Sequence, residues 1–263
     1  MIFDEGLINS EKTGSMKFLI NLISTIVFIS FVFPGIARAQ DGAALLEKMD
    51  KVMFSSEDKQ GNVTMILTNK RDKEKVREAV MMQKGTEKRL YRYTAPESQA
   101  GIATLSLPGG VMWMYMPALG KPRKISILAT TGAFNNTDFS YEDMATTPYT
   151  ERYTPTLLET KSDAYILELV PKDENSQYSK IIVTLDKEQY YPELMEYYDQ
   201  RGEKFKEAEY EYEKIGKYWN ASKVVMTDLQ KEHSTTILLD DVKFDQGIPD
   251  EVFTVESLAP EEN

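Results

Sequence analysis

The feature that most constrains this chain is a hydropathy period of two that keeps returning. Val63, Met65 and Leu67 alternate with Thr64 and Thr68, and Arg89, Tyr91 and Tyr93 alternate with Leu90, Arg92 and Thr94. Further along, Tyr165, Leu167 and Leu169 share a face, as do Ile181, Val183 and Leu185, and Ala208, Tyr210 and Tyr212. Successive side chains of a strand point to opposite faces, so alternation of this kind marks strands with one face buried. Adding 76–81, 102–107, 111–116, 194–198, 219–225 and 236–242 gives about eleven strands separated by short polar turns. Helices do not alternate with them, which excludes a parallel α/β fold and leaves a mainly β antiparallel barrel or strongly curved sheet. One helix precedes the strands. Asp41 is placed to cap it, Leu45, Met49 and Val52 form its stripe, and Glu47, Lys48, Asp50 and Lys51 fall opposite.

The N-terminus reads as an address. Met16-Lys17 precedes the mostly apolar run 18–33, which is followed by Pro34-Gly35 and by Ala37-Arg38-Ala39 before Gln40. A run of that length, interrupted by Asn21, Ser24 and Ser30, is short of the roughly 20 residues a membrane span needs. It fits a secretory signal peptide cleaved near Ala39. Asp4, Glu5 and Glu11 sit badly in a region that should be basic, so Met16 is the expected start. Residues 40–263 are then expected to form a single domain, free in the periplasm. With no cysteine, that domain relies on its core, without disulfides. Removing residues 1–39 takes as many acids as bases, so the net charge stays at −11. That excess repels nucleic acid, and no nucleic-acid partner is expected.

One stretch departs from the alternation. Val111 to Met116 is apolar throughout, which predicts a strand buried on both faces. The region 117–146 follows. It begins with a basic cluster (Lys121, Arg123, Lys124) and then carries Ile127, Leu128, Phe134, Phe139 and Tyr141 among Gly, Thr and Asn, with no clear period. An apolar loop must cover something apolar, so strand and loop are read as the wall and lid of a greasy cavity. Methionine suits such a wall because its unbranched side chain adapts to different shapes. Met65, Met81, Met82, Met112, Met114 and Met116 all lie in the first half of the sheet.

Groups for catalysis are sparse. His233 is the only histidine, beside Lys231 and Glu232 in an expected turn, and reads as a surface residue. With no second His or Cys to complete a ligand set, neither a metal nor a cofactor is expected. Glu142-Asp143 lies in the lid without a base or a phosphate loop, and no enzyme is expected. The run 201–217 alternates Glu with Lys and Tyr and reads as a charged edge strand, or as an edge for docking a partner.

Three ordered motifs carry a resemblance. They are Arg92-Tyr93-Thr94-Ala95-Pro96 followed by Gly101; Trp113-Met114-Tyr115-Met116-Pro117-Ala118 followed by Arg123-Lys124-Ile125; and Asp138-Phe139-Ser140-Tyr141-Glu142-Asp143. Over residues 43–258 the chain resembles the outer-membrane lipoprotein-sorting proteins, within the wider superfamily of LolA-like periplasmic lipoprotein carriers. The resemblance implies a half-open antiparallel β-barrel of eleven strands, with a lid of helices and loop closing an apolar cavity that binds acyl chains. Where that family usually has Gly before the Asp-Phe-Ser run, this chain has Asn135-Asn136-Thr137, and Asn takes positive φ more readily than most residues.

The expected cavity wall is Val63, Met65 and Leu67, one face of the 111–116 strand (Met112 and Met114, or Trp113 and Tyr115), and Leu167 and Val183. Ile127, Leu128, Phe134, Phe139 and Tyr141 close it. Arg123 and Lys124 are expected to pair with Glu142 and Asp143 in the shut lid, or with a headgroup or partner when it opens. An acyl chain of about sixteen carbons loses on the order of 12 kcal/mol on entering water. Lipid crossing an aqueous compartment therefore needs a carrier. The expected function is a monomer that takes acylated lipoprotein or lipid from an inner-membrane donor to an outer-membrane acceptor or an exporter. The alternative is a non-enzymatic, lipid-sensing accessory subunit of an envelope exporter or signalling complex. Replacing Leu167 by Glu is expected to abolish lipid retention in a protein that still folds.

Overall fold

Thirteen strands form one antiparallel sheet. In the computed structural model, which describes residues 34–126 and 131–259, they are β1 (Asp58–Thr68), β2 (Glu74–Lys84), β3 (Lys88–Ala95), β4 (Ala103–Leu107), β5 (Val111–Tyr115), β6 (Arg123–Lys124), β7 (Tyr153–Thr160), β8 (Ala164–Pro171), β9 (Lys180–Asp186), β10 (Pro192–Tyr198), β11 (Lys204–Ile215), β12 (Tyr218–Asp228) and β13 (His233–Phe244). Helix α1 (Pro34–Met53) precedes them, and a short helix α2 (Tyr149–Arg152) leads into β7. Among the described residues no helix is long and apolar enough to cross a membrane. Residues 1–33, which include the run read as a signal peptide, lie outside the described part, as do Ile127 and Leu128 of the expected lid. Residues Arg38–Asn263 make up one compact unit.

The sheet order is β6-β5-β4-β3-β2-β1-β13-β12-β11-β10-β9-β8-β7. The chain starts at the centre, meanders to one margin, crosses to the other, and meanders back until β13 pairs with β1. One expectation is corrected here: the strands number thirteen rather than about eleven. The sheet stays open, since β6 and β7 end the order, so of the expected half-open barrel it is the open form that is seen. Those two strands are also the ones the alternation missed. β6 is two residues long, and β7 (YTPTLLET) carries Pro155 and has half its residues exposed and only Tyr153 buried, which suits a margin and erases the period.

The run 201–217 is corrected too. β11 lies between β10 and β12 and is hydrogen-bonded to both, so it is not an edge available for docking. Its glutamates face outward. Tyr210 and Tyr212 point the other way, into the fold. In β12 the register shifts where Glu211 and Tyr212 face Lys223 and Ala221, leaving Ser222 as the extra residue. The inward face therefore runs Trp219, Ala221, then Val224 and Met226. A strict period of two, which put Lys223 and Val225 with Trp219, loses the face at that bulge.

The sheet buries apolar residues on both sides, in two separate clusters. The larger lies under α1 and the 131–152 region and contains Leu46, Met49, Met65, Leu167, Val183 and Met195, all 0% exposed. Gly42 lets α1 lie directly on β7, because a Cβ there would stand 3.0 Å from the Leu157 nitrogen. The smaller cluster covers the opposite face of β3 to β5, where Ile248, Phe253 and Leu258 of the C-terminal segment pack on Leu90, Leu105 and Tyr115. Arg92 fixes this cover by donating to the Ser257 and Leu258 carbonyls at 2.7 and 3.0 Å. The 111–116 stretch is thus apolar because both faces are covered. Met112 and Met114 join the large cluster, whereas Trp113 and Tyr115 turn to the C-terminal cover and away from the lid side.

Candidate functional site: a lidded cavity on the inner face

A cavity of about 170 Å³ lies between the sheet, the end of α1 and the lid. Val52, Met53 and Phe54 close it from the helix, and Phe139, Met144, Ala145 and Tyr149 from the lid side. Its floor includes Val63, Met81, Tyr197, Tyr210, Trp219 and Leu239. A second, larger cleft of about 480 Å³ lies on the other side of the lid, between the β4–β5 turn and the end of β8. Ala145 borders both spaces, so the lid is a partition between them.

The Asp-Phe-Ser-Tyr-Glu-Asp motif builds that partition by alternating anchors with apolar plugs. Asp138 is buried and takes a hydrogen bond from the Thr235 hydroxyl at 2.7 Å, with His233 Nδ1 at 2.8 Å. Ser140 N–H and the Tyr178 hydroxyl donate to Asp143 at 2.7 and 2.6 Å, and the buried Lys206 ammonium stands 3.9 Å away. Glu142 accepts from the Ser176 hydroxyl at 2.6 Å. Burial pushes its carboxyl up, with the neighbouring Asp143 adding to the rise and the Ser176 bond opposing it. Phe139 meanwhile faces the cavity and Tyr141 the outer cleft.

Upstream, Phe134 is sealed between Tyr91 and Tyr141, edge-on to both at 5.9 and 5.3 Å. Asn135 and Asn136 both take positive φ, 48° and 59°, the conformation for which Asn is the usual substitute for Gly. Downstream, Asp50 of α1 accepts from the Tyr149 and Thr150 amides, each at 2.9 Å, and so tethers the start of α2. Gly101, which follows the Arg-Tyr-Thr-Ala-Pro motif, has φ 81°, and a Cβ there would stand 3.0 Å from the Pro117 ring.

The expected wall residues divide. Val63 lines the cavity, while Met65, Leu67, Leu167 and Val183 are buried in the larger core cluster and are not among its lining residues. Leu167→Glu would therefore place a carboxylate in a sealed core and unfold the protein rather than report on lipid retention. Met112 borders the outer cleft. Arg123 and Lys124 do not meet Glu142 and Asp143. They are exposed on the marginal strand β6, and the two lid acids are already occupied by Ser176, Ser140, Tyr178 and Lys206. His233 is half-buried against the lid rather than free on the surface, and Asp50 is buried rather than on the wet side of α1.

Several cavity residues were not singled out: the aromatics Tyr91, Tyr197, Tyr210, Tyr212 and Trp219, and the polar trio Lys59, Gln83 and Arg89. The aromatics stood in alternating strands, so their face was readable. Their shared destination was not, because it depends on the pairing of β1 with β13. Among the described residues no cluster of His, Cys, Asp and Glu suits a metal ion.

Comparison with known proteins places this geometry. A family model described only as that of an uncharacterized protein matches residues 85–260. A crystal structure from Vibrio parahaemolyticus, described as an outer membrane lipoprotein-sorting protein domain, is 29% identical with a TM-score of 0.78, covering 84% of this chain and 99% of that one. A LolA superfamily protein from Nitrosomonas europaea is 26% identical with a TM-score of 0.69, over 81% and 97%. A DUF1329 family protein from Desulfovibrio piger shares the fold at 23% identity and a TM-score of 0.78, over 84% and 99%. No curated protein matches the chain significantly.

Proposed function

Because the chain belongs to the outer-membrane lipoprotein-sorting family of the LolA-like superfamily, we propose that it is a non-enzymatic periplasmic carrier of acyl chains. The cargo is a lipoprotein or lipid collected from an inner-membrane donor and delivered to an outer-membrane acceptor or an exporter. The observation that carries the reading is the apolar cavity partitioned by a lid whose polar anchors are separate from its apolar plugs. As it stands the inner cavity, about 170 Å³, suits something near the size of benzene, which fits an engineered cavity of about 150 Å³. An acyl chain of about sixteen carbons needs more room. Displacing the lid joins the inner cavity to the outer cleft and supplies it. Tyrosine and methionine side chains then replace the membrane around the chain.

The chain has two tryptophans, and they sit apart: Trp219 in the cavity wall, Trp113 against the C-terminal cover. In a Trp113→Phe background, Trp219 emission is expected to respond to a spin-labelled fatty acid. Detergent-free native mass spectrometry of residues 40–263 should show bound acylated mass. An empty protein whose Trp219 ignores the fatty acid would overturn carriage.

A further inference from the structure

Apart from Asp143 of the lid, the charged and amide side chains of the cavity lie along one transverse row of the sheet. β1 and β2 pair Lys59 with Gln83, β2 and β3 pair Gln83 with Arg89, and all three side chains line the cavity beside the β2–β3 turn. Gln83 is 4% exposed, and its carbonyl oxygen takes bonds from Arg89 Nε and Nη2 at 3.0 and 2.8 Å. A neutral amide thus holds the guanidinium in place without neutralising it. Among the described residues neither Lys59 nor Arg89 has a carboxylate within ion-pair distance. Burial, and then the neighbouring Arg89, push the Lys59 ammonium down to about 7. Asp143 borders the same cavity but is engaged by Ser140, Tyr178 and Lys206. A third group points the same way. The Tyr212 hydroxyl, also in the cavity wall, is buried without a hydrogen-bond partner. Buried polar groups are ordinarily satisfied, and two adjacent cations without a counter-charge are costly. That such a row sits in a chain of net charge −11 makes it a local feature rather than a consequence of composition.

We propose that Lys59 and Arg89, oriented by Gln83, form an oxyanion subsite for the phosphate or carboxylate headgroup of an amphiphile whose tail lies on the apolar floor. The inference rests on the carrier reading and narrows its cargo to single-headed anionic lipids. Arg89 offers a planar fork to the oxyanion, and Lys59 a point charge. The tail runs from there past Val63, Tyr210 and Trp219.

The test is calorimetric titration of residues 40–263 with decyl phosphate, 1-decanol and inorganic phosphate, on the wild-type chain and on Lys59→Met and Arg89→Met. Lys59→Gln serves as a second variant should the apolar ones misfold. Decyl phosphate is expected to bind about tenfold or more tighter than decanol, and each substitution to erase that advantage while decanol affinity holds. Equal affinity for the two amphiphiles, or a preference that survives the substitutions, overturns the subsite and leaves carriage intact. Uptake of neither amphiphile overturns carriage and the subsite with it. Inorganic phosphate binding as tightly as decyl phosphate assigns the row to a free oxyanion and overturns the headgroup.

Discussion

Two covers lie on the two faces of one sheet, and they are built differently. The C-terminal segment covers the outer face of β3 to β5 mainly by apolar contact, Ile248, Phe253 and Leu258 on Leu90, Leu105 and Tyr115, with Arg92 and Lys84 holding its carbonyls and Asp58 its amides. The lid covers the inner face with charged or polar anchors, Asp138, Glu142 and Asp143, and leaves space beneath it. Apolar burial is non-directional and is lost only when the surfaces separate. A hydrogen-bonded anchor, by contrast, can exchange its protein partner for water bond by bond, at a net change of about 1.5–3 kcal/mol where a carboxylate accepts. On the carrier proposal, the first construction suits a permanent cover and the second a cover that lifts.

Substitutions can break that contrast. The largest effect is expected from Phe253→Ala, which should cost about 3–5 kcal/mol in denaturant unfolding and leave acyl uptake by the folded fraction unchanged. Loss of uptake in folded protein would mean the outer cover takes part in binding. Tyr178→Phe removes a donor to the buried Asp143 and should cost about 1.5–3 kcal/mol. Its amide exchange should accelerate in 138–145 and not in 248–258; uniform acceleration would erase the distinction between the covers.

Lys59→Met comes next and sharpens the contrast by pH. A base whose folded pKa falls from 10.5 to about 7 binds fewer protons folded than unfolded between those values. Its contribution to stability therefore rises with pH across that window, by at most about 1.4 kcal/mol per pH unit. Subtracting the Lys59→Met curve from wild type between about pH 8 and about pH 9 isolates this slope; a flat difference means the ammonium is solvated. The smallest effect, within about 0.5 kcal/mol, is expected for Arg123→Gln with Lys124→Gln, since both are exposed on β6. A larger loss would restore them as lid partners.

The sheet was readable wherever a strand kept one wet face, as β1, β8 and β9 do. It was misread where that condition fails: β6 is two residues long and β7 is half exposed with one buried residue, so both were missed, and β12 was found but its inward face was lost where it changes side at Ser222. The lid was legible as an apolar stretch without a period, and Phe139 does face the cavity. Its anchors were not, because Tyr178, Lys206, His233 and Thr235 come from β11, β13 and the segment before β9, far away in the chain. Arg123 and Lys124 were matched to Glu142 and Asp143 by charge and proximity in sequence, but the sheet carries them to its margin. The Lys59–Gln83–Arg89 row needs the registers of two strand pairs, which no single-strand pattern contains.

The strand order has a mechanical consequence. β6 and β7 are opposite margins of the sheet, and the 28 residues between Lys124 and Tyr153 join them. That linker is a bowstring whose bow is the sheet. Thirteen strands at about 4.8 Å spacing make an arc of about 58 Å, and 28 residues reach about 95 Å when extended. The string is therefore slack. On the carrier proposal, that slack would let the lid rise over cargo without unhooking either end and without straightening the bow, so the same fold would accept tails of different bulk.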